Sequence, residues 1–310
     1  MNFYSFLYLT KKNNPNLKKQ ILKSNIEIYY KNALNLFYSI EKKKNIKNNY
    51  KFTLITNNKS YLIKNFGKPK NFFIKQLKFK TLVPKNINFY SSHFKLDVFR
   101  YLSNLNHYSI LLDLDVVLIN HLKLKKFLKL KKKNIICLYD RTIDTKRSYK
   151  YSKIKSDIEF LGNKKLNKIR WFGGEFISGP SHFFGELYKS CKSYEEKYYK
   201  NHKKFFHNGD EMLTNVFFNF KENMKYCDMG KEKIIYRYWN NITLHKQKKF
   251  KLIKKFAFLH LPADKLMLAK IPLKNMHNEE FIKYYENLSQ KYLRRSYLYF
   301  KNKLRRLIEF

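Results

Sequence analysis

Short apolar runs alternate along the chain with stretches of helical period. Phe3 to Thr10 is such a run and predicts a first strand. From Asn16 to about Lys43, Leu17, Ile21, Ile26, Tyr29, Leu34 and Phe37 mark an apolar stripe that predicts a helix. Tyr50 to Thr56 predicts a second strand, closed by Asn57-Asn58, and residues 59–83 leave room for a further helix and strand. Ser91-Ser92 starts a helix carrying Lys95, Asp97 and Arg100. Tyr108 to Ile119 reads as one buried strand, bounded by Asn106-His107 and Asn120-His121. Strands alternating with helices predict an α/β fold with a mostly parallel sheet. Ligands in such sheets bind beyond the carboxyl ends of the strands.

The second half is less regular. Ile135 to Tyr139 predicts a short strand. Residues 141–170 are basic and poorly patterned and read as a mobile loop or lid. Trp171 to Pro180 holds three of the eight glycines and reads as a loop. Residues 181–200 read as helix, and His207-Asn-Gly-Asp-Glu211 opens another through Phe220. Phe256 to His260 is a strand, and the chain is helical from Asn278 onward. No internal repeat is present.

The chain has 310 residues, 44% of them hydrophobic, so it can bury a substantial core. Its net charge of +43 invites a nucleic-acid reading. Only nine of the 66 basic residues are Arg, and Lys is spread along the whole chain. Lys, Asn, Ile, Phe and Tyr are all over-used, as expected of an A/T-rich coding bias. No nucleic-acid partner is therefore expected. The charge still attracts nucleotides and anionic lipid surfaces. Three cysteines, Cys137, Cys191 and Cys227, form no C-x-x-C pair, which fits a reducing compartment. The N-terminal run reads as a strand rather than a signal peptide, and no window offers the ~18 apolar residues of a transmembrane helix.

Candidate chemistry begins with Asp113 and Asp115 near the end of the most apolar strand. On a strand they would share one face, where two desolvated carboxylates repel. A divalent cation, Mn²⁺ or Mg²⁺, removes that cost, and a metal there points to a phosphate substrate. The bland alternative is a pair of acids neutralised by Lys or Arg. Asp97 and Arg100 share a helix face and read either as a surface ion pair or as a donor–acceptor pair aimed at a sugar diphosphate. Gly173 and Gly174 read as an ordinary turn or as a close backbone approach to a ligand. Asp210 and Glu211 in a first turn favour the helix dipole with no function needed.

Asp97-Val-Phe-Arg100-Tyr-Leu, twelve residues after Arg100, then Asp113-Leu-Asp115 resembles the sugar-binding signature of retaining GT-A glycosyltransferases. The pattern is that of initiating-type mannosyltransferases and of toxin glucosyltransferase domains. The lipopolysaccharide galactosyltransferase and glycogenin group is a more distant relative. The chain departs from the mannosyltransferase pattern just before the strand, with His107-Tyr-Ser in place of Gly-Gly. The resemblance implies a Rossmann-like mixed sheet flanked by helices over residues 1–270, with a helical tail over 271–310. It implies that Asp97 and Arg100 contact the donor, that Asp113 contacts ribose or sugar and shares the metal, and that Asp115 ligates the metal directly. A late His completes the metal site in the galactosyltransferase group, which implies His260. A nearby Lys binds the diphosphate, which implies Lys265, although the spacing is one residue short and no Pro-Trp follows. Gly173 and Gly174 would lie where donor sugar meets acceptor, and Asp210 and Glu211 would face the sugar or the acceptor hydroxyl.

The activity so implied is hexose transfer from a nucleotide-diphosphate sugar, with a UDP-hexose favoured, to a saccharide or glycolipid acceptor. Surface polysaccharide or lipopolysaccharide synthesis is the expected setting. Other metal-dependent phosphate-ester enzymes, such as a nucleotide-sugar hydrolase or a phosphatase, and a basic nucleic-acid-binding protein are the alternatives. Val116-Val117 after the acids argues against an Asp-x-Asp phosphatase. In the tail, Phe281, Tyr285, Leu288, Tyr292, Leu304 and Leu307 fall near helical spacing. Arg294, Arg295, Arg305 and Arg306 lie between them. A basic aromatic helix of this kind suits an anionic membrane surface, so the expected location is the cytoplasmic face of a membrane.

Overall fold

The computed structural model describes residues 1–10, 22–41, 50–146, 151–238, 250–271, 274 and 279–288. Its strands are β1 (Asn2–Leu7), β2 (Lys51–Thr56), β3 (Phe73–Gln76), β4 (Ser109–Leu112), β5 (Val116–Leu118), β6 (Ile136–Asp140), β7 (Phe172–Gly179), β8 (Tyr226–Asp228), β9 (Ile235–Arg237) and β10 (Phe258–His260). Its helices are α1 (Leu22–Glu41), α2 (Lys59–Phe66), α3 (Lys95–Ser103), α4 (Leu124–Lys132), α5 (Thr142–Lys146), α6 (Tyr151–Gly162), α7 (Ser181–Asn201), α8 (Asp210–Phe220), α9 (Phe250–Ile253) and α10 (Lys265–Ala269). The expected helix start at Asn16 lies outside the described residues.

A seven-stranded sheet runs in the order β3-β2-β1-β4-β7-β6-β8. The first four strands are parallel, β7 is antiparallel to both its neighbours, and β8 is parallel to β6. Helices cover both faces, which is why the strands read as near-continuous apolar runs. Phe3, Leu54 and Ile110 pack on one face with Leu36 and Phe37 of α1. Tyr4, Ile55 and Leu111 pack on the other with Leu96 and Phe99 of α3, Phe183 and Leu187 of α7, and Leu213 of α8. Neighbouring strand residues thus feed opposite cores.

Three expectations change in the structure. Tyr108–Ile119 is two strands in two sheets: β4 ends at Leu112, and β5 joins a three-stranded sheet in the order β5-β10-β9. Asp113 to Asp115 form the turn between them, with the Val116 amide donating to the Asp113 carbonyl at 3.3 Å. The apolar run hides the break because both halves are buried, Leu111 and Leu112 in the two main cores and Val117 in a third. Residues 171–180 hold no glycine loop; β7 is buried at all eight positions. Within 141–170, α6 buries Ile154, Ile158 and Leu161, a helical spacing masked by the basic residues around it.

Ile158 is 0% exposed. Ile158→Ala is expected to cost about 2–5 kcal/mol of stability, read from chemical denaturation. A loss under ~0.5 kcal/mol, typical of a surface position, would restore the lid reading.

A third core forms under the small sheet, where Val117, Ile119, Leu259, Leu261 and Leu268 meet Phe281, Ile282 and Tyr285. The Tyr285 hydroxyl donates to Asp264 at 2.6 Å. The helical stretch 279–288 therefore packs onto the sheet domain, and Phe281 and Tyr285, expected on a membrane-facing stripe, are buried in protein. The basic part of the tail lies outside the described residues. No described helix is long and apolar enough to cross a membrane.

Candidate active site

The break between β4 and β5 is what brings the acids together. The Asp113 amide donates to the Glu175 carbonyl at 3.2 Å, and the Leu261 amide donates to the Asp115 carbonyl at 2.9 Å. β10 runs antiparallel to β5 with His260 opposite Val116, so the imidazole stands beside Asp115. His260 Nε2 is 3.2 Å from Asp115 Oδ1. Ligand atoms of Asp113, Asp115 and His260 all lie within 4.8 Å of one another. Two carboxylates and one imidazole at that spacing are a fitting donor set for Mn²⁺ or Mg²⁺. Asp113 and Asp115 do not share a strand face; the turn between β4 and β5 brings them together instead.

Lys265, at the start of α10, places its Nζ 2.5 Å from Asp115 Oδ2 and donates to the Pro262 carbonyl at 2.8 Å. Asp115 is 3% exposed. Burial opposes its charge, but Lys265 and then His260 outweigh burial and hold the carboxyl well below the usual range. Burial likewise opposes charge on His260, and Asp115 with Glu175 overcomes it, raising the imidazole to about 9.

Lys95, which no sequence motif singles out, enters from α3. Its Nζ lies 2.7 Å from Asp210 Oδ2 and 3.1 Å from Asp113 Oδ1, and it donates to the Gly174 carbonyl at 3.2 Å. One buried ammonium thus bridges the turn, β7 and the first turn of α8. Glu211, next to Asp210, accepts from the Gly174 amide and from Arg237 Nη2, both at 2.9 Å. Gly174 is tightly enclosed: a Cβ would lie 3.1 Å from Asp210 and Lys95 and 3.2 Å from Glu211, so those side chains would have to give by a few tenths of an ångström. The structure therefore brings Asp113, Gly174, Asp210 and Glu211 into one buried network around Lys95 and Arg237.

Asp97 and Arg100 sit elsewhere on α3. Two residues along a helix turn the side chain by roughly 200°, so Asp97 points away from the Lys95 cluster. It accepts from the backbone amides of Lys80 and Thr81 at 3.0 and 2.9 Å and from Arg100 at 3.0 Å. Among the described residues, no hydrogen bond or ion pair joins Asp97 or Arg100 to the acid–histidine cluster. Their contacts in the structure fasten the segment before α3.

No sequence motif marks Arg237 or Glu175. Arg237 forms a two-pronged pair with Glu175, and His260 Nδ1 lies 3.2 Å from Glu175 Oε1. Arg237 carried one available signal: Arg is rare in this Lys-rich chain.

His93, in the turn before α3, is fully buried, with Nδ1 3.1 Å from the Phe89 carbonyl and Nε2 3.1 Å from the Tyr198 hydroxyl. Burial, above all, depresses its pKa from 6.5 to about 4. The folded state thus prefers neutral His93, so this stability is present above 6.5 and is lost as pH falls toward 4. The full effect is about 3 kcal/mol at 1.36 kcal/mol per pH unit. His93→Gln should flatten the pH dependence of unfolding between 6.5 and 4; an unchanged slope would mean that His93 does not titrate there.

No protein-family model matches the chain, and no curated protein matches it by sequence. Solved structures do. The crystal structure of galactosyltransferase LgtC in complex with donor and acceptor sugar analogs superposes with a TM-score of 0.53 at 13% identity, over 87% of this chain and 95% of that one. The apo structure of the bifunctional glycosyltransferase WbbM gives 0.51 at 14% identity, over 88% of this chain. The match spans half of WbbM's own length, 50%. At such identities the likeness shows the fold: a GT-A fold, with a seven-stranded mixed sheet flanked by helices.

Proposed function

We propose that the chain is a metal-dependent glycosyltransferase. It moves a hexose from a nucleotide-diphosphate sugar, UDP-linked, to a saccharide or glycolipid acceptor in surface polysaccharide or lipopolysaccharide synthesis. The observation that carries this reading is the cluster of Asp113, Asp115 and His260 just beyond the carboxyl end of β4, within a GT-A fold. Ligands bind at that end of an α/β sheet.

A bound Mn²⁺ or Mg²⁺ would neutralise charge building on the leaving diphosphate. Asp113, Asp115 and His260 would hold it. A cation held there would give Asp115 a second counter-charge, which would leave the Lys265 ammonium available to a phosphate oxygen. Fixed cations beside a leaving group stabilise charge that develops only in the transition state. Lys95 holds Asp210 in place through their 2.7 Å ion pair. Asp210 and the Gly173-Gly174 backbone are proposed to line the sugar site, and Glu211 holds that backbone through the Gly174 amide. A donor contact by Arg100 requires it to leave or share Asp97, and Asp97 is proposed to act by orienting it. The basic part of the tail beyond residue 288, with Arg294, Arg295, Arg305 and Arg306, is proposed to add contact with an anionic membrane surface on the cytoplasmic side.

Nucleotide release tests the reading. UDP formation from one UDP-hexose, dependent on Mn²⁺ and on an added saccharide or lipid acceptor, is the expected result. Release at the same rate without any acceptor would mark a hydrolase instead.

A further inference from the structure

Resting on the metal-site reading above, we propose that Glu175 and Arg237 are positioning residues for the metal. Glu175 fixes which nitrogen of His260 faces Asp113 and Asp115, and Arg237 holds Glu175 in place.

The two ring nitrogens of His260 have different partners: Nδ1 is 3.2 Å from Glu175 Oε1, and Nε2 is 3.2 Å from Asp115 Oδ1. A hydrogen bond from Nδ1 to a carboxylate leaves Nε2 as the nitrogen presented to the cluster. Metal-bound histidines are commonly oriented by such an outer carboxylate. Glu175 is 0% exposed, so its charge needs a fixed partner. Arg237 supplies it through Nε and Nη2, the planar two-pronged geometry of guanidinium and carboxylate. The same Nη2 also reaches Glu211 at 2.9 Å. Arg237 therefore ties the metal end of the site to the first turn of α8.

The backbone is shaped for this pair. Between β6 and β7 the register jumps from Leu138↔Ile177 to Tyr139↔Gly173, so residues 174–176 have no partner on that edge. Such a bulge re-aims side chains, and here it turns Glu175 back over Gly173. A Cβ on Gly173 would lie 2.0 Å from Glu175 Oε2 and 2.9 Å from Arg237 Nη2. Glycine at 173 is thus the space in which the pair forms, a more specific role than a flexible loop. β9 and β10 run parallel with Arg237 opposite His260, which sets the two residues at the same level of the small sheet.

The test is a titration of the purified full chain with Mn²⁺, with and without UDP, following the free ion by electron paramagnetic resonance. Wild type is expected to bind Mn²⁺, and Asp115→Ala is expected not to. Glu175→Gln keeps the shape of the side chain, and Arg237→Lys keeps the positive charge. Each should weaken Mn²⁺ affinity by about 10- to 100-fold, the usual cost of losing an outer-shell partner. Phe72→Leu, in the core with Tyr30, Phe37 and Phe52 between α1 and β2, should lower Tm while leaving Mn²⁺ affinity within about 2-fold, which separates positioning from lost stability. Wild-type affinity in both Glu175→Gln and Arg237→Lys would overturn the positioning role alone. Failure of wild type to bind Mn²⁺ in either series would overturn the metal reading and this role with it.

Discussion

Asp115→Ala is expected to abolish Mn²⁺ binding and to lower donor turnover by about 10³-fold or more. The size follows from the several kcal/mol that a metal contributes to a phosphate leaving group and from 1.36 kcal/mol per tenfold in rate. Asp115 is the residue on which the site's charges converge. Its Oδ1 faces His260 and its Oδ2 faces Lys265. Without it, two cationic side chains face a cluster with one carboxylate left, Asp113, which is already shared with Lys95. Asp115→Asn keeps the volume and one oxygen but not the charge, and should bind metal only weakly. Both variants are checked by metal titration and donor turnover, with Tm as the control for folding. Wild-type turnover in Asp115→Ala would remove the metal from the account.

Lys95→Met is expected to have the largest effect on stability. The Lys95 side chain is 4% exposed and stands between Asp113 and Asp210. Burial by itself would discharge it, but Asp113 and then Asp210 overcome that and raise its pKa. Methionine fills the same volume and leaves the buried Asp210 without its cation. Breaking a buried pair on one side costs about 3–5 kcal/mol, which for a chain of this size lowers Tm by roughly 5–8 °C. The Gly174 carbonyl also loses a donor, so the bulge carrying Glu175 loosens and turnover should fall with stability. Thermal unfolding in the absence of metal checks this. A loss under 1 kcal/mol would mean that Lys95 is not the counter-ion of the site.

The acids were legible in the sequence because a buried apolar run makes each charge within it conspicuous. What brings them together is the turn between β4 and β5 and not a shared strand face. Nothing in the alternation of Tyr108–Ile119 shows that the chain changes sheets after Leu112, since both sheets bury what they receive. β7 was read as a loop because Gly173-Gly174-Glu175 breaks every local strand rule. The glycines make room for Glu175, and Glu175 is satisfied by Arg237, 62 residues away. Pairing at that distance leaves no periodic trace. The α6 stripe of Ile154, Ile158 and Leu161 was lost among lysines that carry no structural information here. Lys95 was hidden in the same way, as one buried ammonium among 66 basic residues. Asp97 pairs with Arg100 as helix spacing predicts, but it also accepts from the backbone amides of Lys80 and Thr81, which no local pattern shows. The aromatic spacing of Phe281 and Tyr285 marked a buried face, and periodicity alone cannot tell a protein core from a bilayer.

The most direct test of the central claim is a thermal-shift panel of UDP- and GDP-sugars, with and without Mn²⁺, on wild type and on Asp115→Ala. A ligand that binds only the folded state raises Tm in proportion to its occupancy. Stabilisation by one UDP-sugar, in wild type and only with Mn²⁺, is the predicted result. Stabilisation that persists in Asp115→Ala, or that needs no metal, would contradict a donor site built on Asp113, Asp115 and His260.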